Sequence, residues 1–380
     1  MSFGLYLHFP FCSKICPYCD FYVLRATGAK RAGFLPFYEK ELELLSKKKQ
    51  ELFSQMLQTT YFGGGTPSLL AAEQLGDVFQ MIKKFFSIST DAETTLEANP
   101  NDILGDKLAG FRKLGVNRLS IGVQSLNDDE LKTLGREHTA KQALEAAKNA
   151  RKSGFENLNL DLIFGVPGQT HKSWKKTLEP AVKARPSHFS TYSLTIEERT
   201  FFFKLQQQGK LRLPPDDACQ EMYLAGVDFL EKEGYRQYEI SNFAQPGFES
   251  KHNRNYWERK SYLGIGPSAH SFNGAKRWAN VRSLNIYQEK LEKGIGPLEF
   301  EETIDLKQAL EETIFLGLRQ KDGVCFQSLK NEFKYDLAKE KNDLIHKLAA
   351  QNYTLSEAGR LKLTTLGFYI SDKIASELFP

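Results

Sequence analysis

The chain has 380 residues, of which 26% are charged and 41% hydrophobic, the balance of a globular protein with length for one large domain and a smaller one. Its formal net charge of +4 is too weak to argue for a nucleic-acid partner, and no apolar run approaches the roughly 18 residues of a membrane-spanning helix. The opening MSFGLYLHF lacks the basic start and long apolar stretch of a secretory signal, and the cysteine count is odd, at five. Both point to the reducing cytoplasm, where grouped thiols bind metal or do chemistry more often than they form disulfides.

Leu5, Leu7 and Phe9 recur with period two and predict a strand that begins almost at once. Further β-like runs are QTTYF at 58–62, TTLEA at 94–98, VNRLSIGV at 116–123, LNLDLIF at 158–164 and HFSTYSL at 188–194. Helical periodicity occupies 37–53, 71–86 and 140–154 between them. Six strands alternating with helices read as βα units around a parallel sheet, with right-handed connections. Six units fit a partial (β/α)6 barrel better than a closed eightfold one, with a doubly wound sheet as the alternative. This α/β unit, with a helix at 216–234, is assigned to residues 1–235. Residues 236–300, rich in aromatics and glycine, are expected as irregular structure covering the sheet edge. Residues 301–380 read as helices plus a hairpin around Glu357, Ala358 and Gly359, a small helical, winged-helix-like domain. Residues 300–380 carry 11 Lys and Arg against 13 Asp and Glu. A DNA-reading wing is expected to be basic, so a packing or partner-contact role is favoured over a DNA-binding regulator.

Three cysteines, Cys12, Cys16 and Cys19, fall in the loop after the first predicted strand. A structural zinc normally closes its shell with four Cys or His ligands. His8 is near enough in sequence to be a fourth, but no second cysteine pair is nearby. A disulfide leaves one thiol over. A [4Fe–4S] cube normally takes four thiolates, so three leave one iron open to a small chelating molecule. Cys219 and Cys325 lie far away in sequence and read as plain buried thiols.

The second predicted strand ends in GGGTPS, residues 63–68. Glycines there let backbone approach a ligand, Thr66 suits an N-cap and Pro67 the first helical turn. Polar residues cluster at or near strand ends: Glu97, Gln124, Arg136 and Asp161. A carboxylate in an apolar run, as Asp161 is, costs free energy unless paired. Several such groups at one end of a sheet point to ligand contact.

The spacing C-x3-C-x2-C resembles the motif of the radical S-adenosylmethionine (SAM) superfamily. The resemblance implies a [4Fe–4S] cluster on Cys12, Cys16 and Cys19, with SAM chelating the open iron and cleaved after electron transfer to methionine and a 5′-deoxyadenosyl radical. It implies SAM contacts at Gly64, Gly65 and Thr66, whose backbone would meet the methionine amino group. Glu97 and Asp161 would take ribose hydroxyls or the ammonium, and Arg136 a carboxylate. Gln124 and the aromatics Tyr18 and Tyr6 would complete the SAM surroundings, Tyr6 sharing a strand face with His8.

LYLHFPFCSKICPYCDF, YFGGGTPSLL, LEANP, RLSIGVQSLND, LGREHTAKQALEA and NLDLIFGVPGQT together resemble the HemN/HemW group. That group holds the oxygen-independent coproporphyrinogen III oxidases and related heme chaperones, and pairs a radical SAM barrel with a small C-terminal domain. Three features favour the chaperone branch. Phe21 stands where the oxidases carry a fourth cysteine. Only a few residues precede the first strand, where the oxidases have an extension. Residues 252–257, HNRNYW, match the HNxxYW motif associated with heme binding. His252 is accordingly expected as an axial ligand, Tyr256 and Trp257 as porphyrin contacts, and Lys251, Arg254 and Arg259 as propionate partners. Of the other histidines only His270 is worth testing. The expected function is binding of heme and delivery to an apo-hemoprotein, such as a membrane-associated respiratory protein, by a protein with no transmembrane segment and no nucleic-acid partner. A homodimer is compatible with this reading. The alternative is coproporphyrinogen III oxidation.

Overall fold

The computed structural model describes residues 3–103 and 105–380. Six parallel strands follow the chain: β1 (Phe3–Phe9), β2 (Leu57–Gly64), β3 (Ile88–Ala98), β4 (Arg118–Gln124), β5 (Asn157–Phe164) and β6 (His188–Ser193). Each pairs with its successor. Helices on the outer face cover them, including Pro36–Lys48, Ala72–Phe85, Ala140–Lys152 and His171–Lys183. The run at 37–53 splits at Lys49 into Pro36–Lys48 and Gln50–Phe53.

Period two sorts the strand residues. In β1, Phe3, Leu5, Leu7 and Phe9 are at most 2% exposed and join the apolar layer under the helices. The intervening Gly4, Tyr6 and His8 face the opposite, inner side. The inner face of the neighbouring strands is polar. Tyr6 is in register with Tyr61, Glu97 with Ser120, Gly122 with Asp161, and Asp161 with Ser190. The sheet thus pairs an oily outside with an ionisable inside.

The stretch 236–300, expected as irregular cover, instead adds strands to both edges of the sheet. On one side β7 (Arg236–Glu239) and β8 (Asn242–Ala244) form a hairpin, and β8 pairs antiparallel with β6. On the other, β9 (Tyr262–Ile265) lies parallel to β1 as a seventh parallel strand. It continues antiparallel through β10 (His270–Phe272), β11 (Lys276–Asn280) and β12 (Leu298–Thr303). The full order, β12-β11-β10-β9-β1-β2-β3-β4-β5-β6-β8-β7, is an open twelve-stranded sheet. These strands were hidden in sequence because each has only three to six residues, too few for a clear period.

The C-terminal part has helices, including Leu306–Leu318 and Asn342–Ala350, and a small sheet of β13 (Val324–Cys325), β14 (Thr354–Glu357) and β15 (Arg360–Leu363). The β14–β15 hairpin turns at Ala358 and Gly359, both with positive φ, as its sequence predicts. Among the described residues no helix is long and apolar enough to cross a membrane.

Candidate cofactor site

The C-terminal ends of the parallel strands open onto a cavity of about 400 Å³, and Cys12, Cys16 and Cys19 all line it. Their loop leaves β1 and is pinned back by Leu24 N donating to Pro10 O at 2.7 Å and by pairing of Phe11–Cys12 with Leu24–Arg25. Within it, Cys19 N donates to Cys16 O at 3.1 Å. The thiols are free and partly exposed. Among the described residues no three His, Cys, Asp or Glu side chains converge closely enough to hold a single metal ion. Three thiols spread round one cavity suit a polynuclear cluster better than a lone zinc. Burial pushes the thiols of Cys12 and Cys19 up to about 11, so their thiolates need a bound cation to persist at neutral pH.

The glycine run sits beneath this loop. Gly64 has φ +101°, and a Cβ there would lie 2.5 Å from the His8 ring. A Cβ on Gly65 would lie 2.5 Å from the Phe11 carbonyl oxygen. The close approach is used: Gly65 N donates to Phe9 O at 2.7 Å and Thr66 N to Phe11 O at 2.8 Å. Thr66 begins a short 3-10 turn, Pro67–Leu69, without a side-chain capping bond. Its hydroxyl is already engaged, donating to Cys12 Sγ at 3.3 Å and accepting from Asn99 Nδ2 at 3.1 Å.

The ionisable residues complete the wall. Glu97 accepts from the Tyr61 hydroxyl at 2.8 Å and from Gly64 N at 3.1 Å, and burial pushes its carboxyl up to about 7. Asp161 accepts from the Ser120 hydroxyl at 3.0 Å and from Asn159 Nδ2 at 2.7 Å, and burial raises it too. Arg136 donates to Gly122 O at 2.9 Å and to Asn99 Oδ1, and reaches Cys16 Sγ at 3.5 Å. Its buried Nε has no partner among the described residues. Gln124 adopts φ 68°, a strained value for a non-glycine residue at a site. Tyr18, Gly64, Gly65, Thr66, Glu97, Gln124, Arg136 and Asp161 all line the cysteine cavity. Tyr6 does not. Its hydroxyl meets His8 Nδ1 at 3.0 Å, and it faces a neighbouring cavity of about 490 Å³. Asn99, Ser120, Tyr61 and Tyr192 also line the cysteine cavity and escaped the sequence reading. The signal was there for Asn99, which immediately follows the end of β3 two residues after Glu97.

Comparison with known proteins agrees with this geometry. The radical SAM superfamily profile matches residues 6–181 and the HemN C-terminal domain profile residues 304–370. The heme chaperone HemW of Lactococcus lactis is 37% identical, over 97% of this chain and 95% of its own length. That of Bacillus subtilis is 37% identical, over 97% of each. The chain belongs to the HemW/HemN family of radical SAM proteins. A mitochondrial radical SAM domain-containing protein 1 from Mus musculus is 35% identical, over 99% of this chain and 87% of its own. In fold the chain is similar to Escherichia coli coproporphyrinogen III oxidase (HemN), with a TM-score of 0.85 at 24% identity, covering 100% of this chain and 90% of that one.

The radical SAM fold implies SAM and a [4Fe–4S] cluster, and the cavity fits both. Three thiols face it, the unpartnered Nε of Arg136 offers a donor, and Glu97 and Asp161 offer buried acceptors. The HNRNYW segment meets its expectation less simply. It forms the helix Lys251–Trp257, whose first turn is capped by Glu93 accepting from Lys251 N and His252 N at 3.0 Å each. His252 is 1% exposed inside the sheet. Its Nδ1 meets Thr59 Oγ1 at 2.7 Å, its Nε2 meets the Tyr256 hydroxyl at 2.8 Å, and its ring stacks on Tyr61. Both ring nitrogens are thus occupied, and burial pushes the imidazole down to about 3, so His252 presents no free nitrogen to a heme iron in this arrangement. The segment also diverges spatially. Tyr256 lines the 490 Å³ cavity, whereas Trp257 faces a different cleft beside Gln320 and Cys325. The three expected propionate cations each pair with a protein carboxylate: Lys251 with Asp91, Arg254 with Glu258 and Arg259 with Glu312.

Proposed function

We propose that the protein is a heme chaperone that binds heme and delivers it to an apo-hemoprotein, with a membrane-associated respiratory protein as the first acceptor to try and the cytoplasm as the place of action. Near-full-length similarity to proteins named heme chaperone HemW carries this reading. Phe21 in place of the oxidases' fourth cysteine supports it. In this reading Cys12, Cys16 and Cys19 would hold the cluster, which would supply an electron and an open iron. Gly64, Gly65, Thr66, Glu97, Gln124, Arg136 and Asp161 hold SAM, with Tyr18 packed beside the loop. The site residues orient the cofactor and exclude water from it.

The deciding experiment mixes heme-loaded, cluster-containing protein with apo-hemoproteins and follows transfer by absorbance and acceptor activity. Transfer supports the proposal. Conversion of coproporphyrinogen III to protoporphyrinogen IX with SAM and reductant refutes it in favour of an oxidase. Alanine in place of Cys12, Cys16 or Cys19 is expected to abolish the EPR signal of the reduced cluster and to lower bound iron and sulfide.

A further inference from the structure

Beside the cysteine cavity lies the second one, of about 490 Å³, within the roughly 300–1,000 Å³ typical of ligand pockets. The two share Phe21, which is 68% exposed and stands two residues beyond Cys19. The second cavity is aromatic: Tyr22, Tyr256 and Tyr262 line it with Phe21. Two histidines reach it, and they differ. His8 is 4% exposed with both ring nitrogens engaged, by Tyr6 and by the Tyr22 carbonyl. His270, the first residue of β10, is exposed. Among the described residues its ring nitrogens carry none of the hydrogen bonds that occupy those of His8, His188 and His252, and its ring meets only the edge of Phe300, at 5.9 Å. Desolvation and the Arg277 cation hold its imidazole below the ordinary value, so a nitrogen lone pair is available at neutral pH. One cation lines the cavity: Arg282, held by donating to Asp20 O at 3.1 Å and lying over the Tyr22 ring.

We infer that this cavity is the heme site, with His270 as the iron ligand, the tyrosines as the porphyrin wall and Arg282 as a propionate anchor. The inference rests on the chaperone reading and deepens it. A largely aromatic wall, one imidazole free of hydrogen bonds and one cation, with Asp20 the one carboxylate in the lining among the described residues, suit an iron porphyrin dianion. The arrangement also gives the HNRNYW segment a role that its buried histidine otherwise lacks. Tyr256 belongs to the wall, and His252 fixes it by the 2.8 Å hydrogen bond between its Nε2 and the Tyr256 hydroxyl. His252 is therefore a positioning residue, not the iron ligand.

Hemin titration of the full-length, cluster-loaded protein tests this, read by difference absorbance in the Soret region and by EPR of the ferric heme. Wild type is expected to show an imidazole-ligated spectrum. His270→Ala is expected to lose that signature, to bind at least about tenfold more weakly, and to recover the signature when free imidazole is added. His252→Ala is expected to bind more weakly but keep the imidazole signature. Arg282→Glu is expected to weaken both hemin and metal-free protoporphyrin IX. If His270→Ala keeps the wild-type spectrum, or if His252→Ala is the variant that loses it and is rescued by imidazole, the site is wrong while the chaperone reading stands. If wild type takes up no hemin, both fall.

Discussion

Replacing Gly65 by alanine is a sharp test of how the cysteine loop is held. The added methyl would lie 2.5 Å from the Phe11 carbonyl oxygen and 2.7 Å from that of Phe9. Both are backbone atoms, so no rotamer change relieves the contact. Reaching ordinary contact at 3.4 Å from the nearer oxygen needs a displacement of about 0.9 Å, the difference between 3.4 and 2.5 Å. A shift of that size carries the bonds Gly65 N to Phe9 O, now 2.7 Å, and Thr66 N to Phe11 O, now 2.8 Å, beyond useful length. Overpacking costs about 1–3 kcal/mol and each lost bond about 0.5–1.5 kcal/mol. The expected destabilisation is therefore about 2–6 kcal/mol, with displacement of Cys12 relative to Thr66 and reduced cluster content. Gly33→Ala is the control. It sits in the helix Gly28–Phe34 with nothing within 4 Å of its would-be Cβ, so alanine should stabilise by up to about 1 kcal/mol. Urea unfolding followed by circular dichroism, with iron and sulfide assay, measures both. A Gly65→Ala protein with the wild-type midpoint and full cluster content would refute the stapled-loop argument.

The remaining predictions concern charge and backbone. Glu41 is fully buried, accepting from Gly266 N, Asn280 and Tyr287, and burial pushes it up to about 7 from 4.5. The folded state thus keeps a proton that the unfolded state releases. This group's contribution is complete below about pH 4.5 and is lost as pH rises through about 7, at no more than about 1.4 kcal/mol per pH unit. The stability of wild type minus that of Glu41→Gln should fall across this window in denaturant titrations, and a rise would contradict the assignment. Arg136→Lys keeps the charge but loses the planar fork that spans Gly122, Asn99 and Cys16. SAM affinity by calorimetry should drop by about tenfold or more, and unchanged affinity would remove Arg136 from the site. Ala358 holds φ 50° in the β14–β15 turn, so Ala358→Gly should raise the unfolding midpoint, worth about 0.5–1 kcal/mol.

Local chemistry made much of the site readable before any coordinates. Cys12, Cys16 and Cys19 stand out because three thiols fall in one short loop, and their resemblance to the radical SAM motif is what implies a cluster. Glu97 and Asp161 stand out because a carboxylate in an apolar strand needs a reason. All of these reach one cavity because parallel strands bring their C-terminal ends to one side of the sheet. Tyr6 is the exception, since it lines the adjoining cavity. Period two gives its face correctly but not which of two adjoining cavities that face meets. For His252 the motif shows the residue type and not the neighbours that occupy its ring nitrogens. Thr59, on β2 and 193 positions away, takes one of its nitrogens.

Sequence alone determined the order of βα units, the cysteine loop and the polar strand ends, since these depend on spacing and period within a few residues. Long-range packing settled the rest. It turned residues 236–300 into both edges of the sheet and buried His252. It also left His270, on a three-residue strand with no periodic signal, exposed at the second cavity. Whether a side chain is spent or available depends on partners scores of residues away, and no local pattern encodes that.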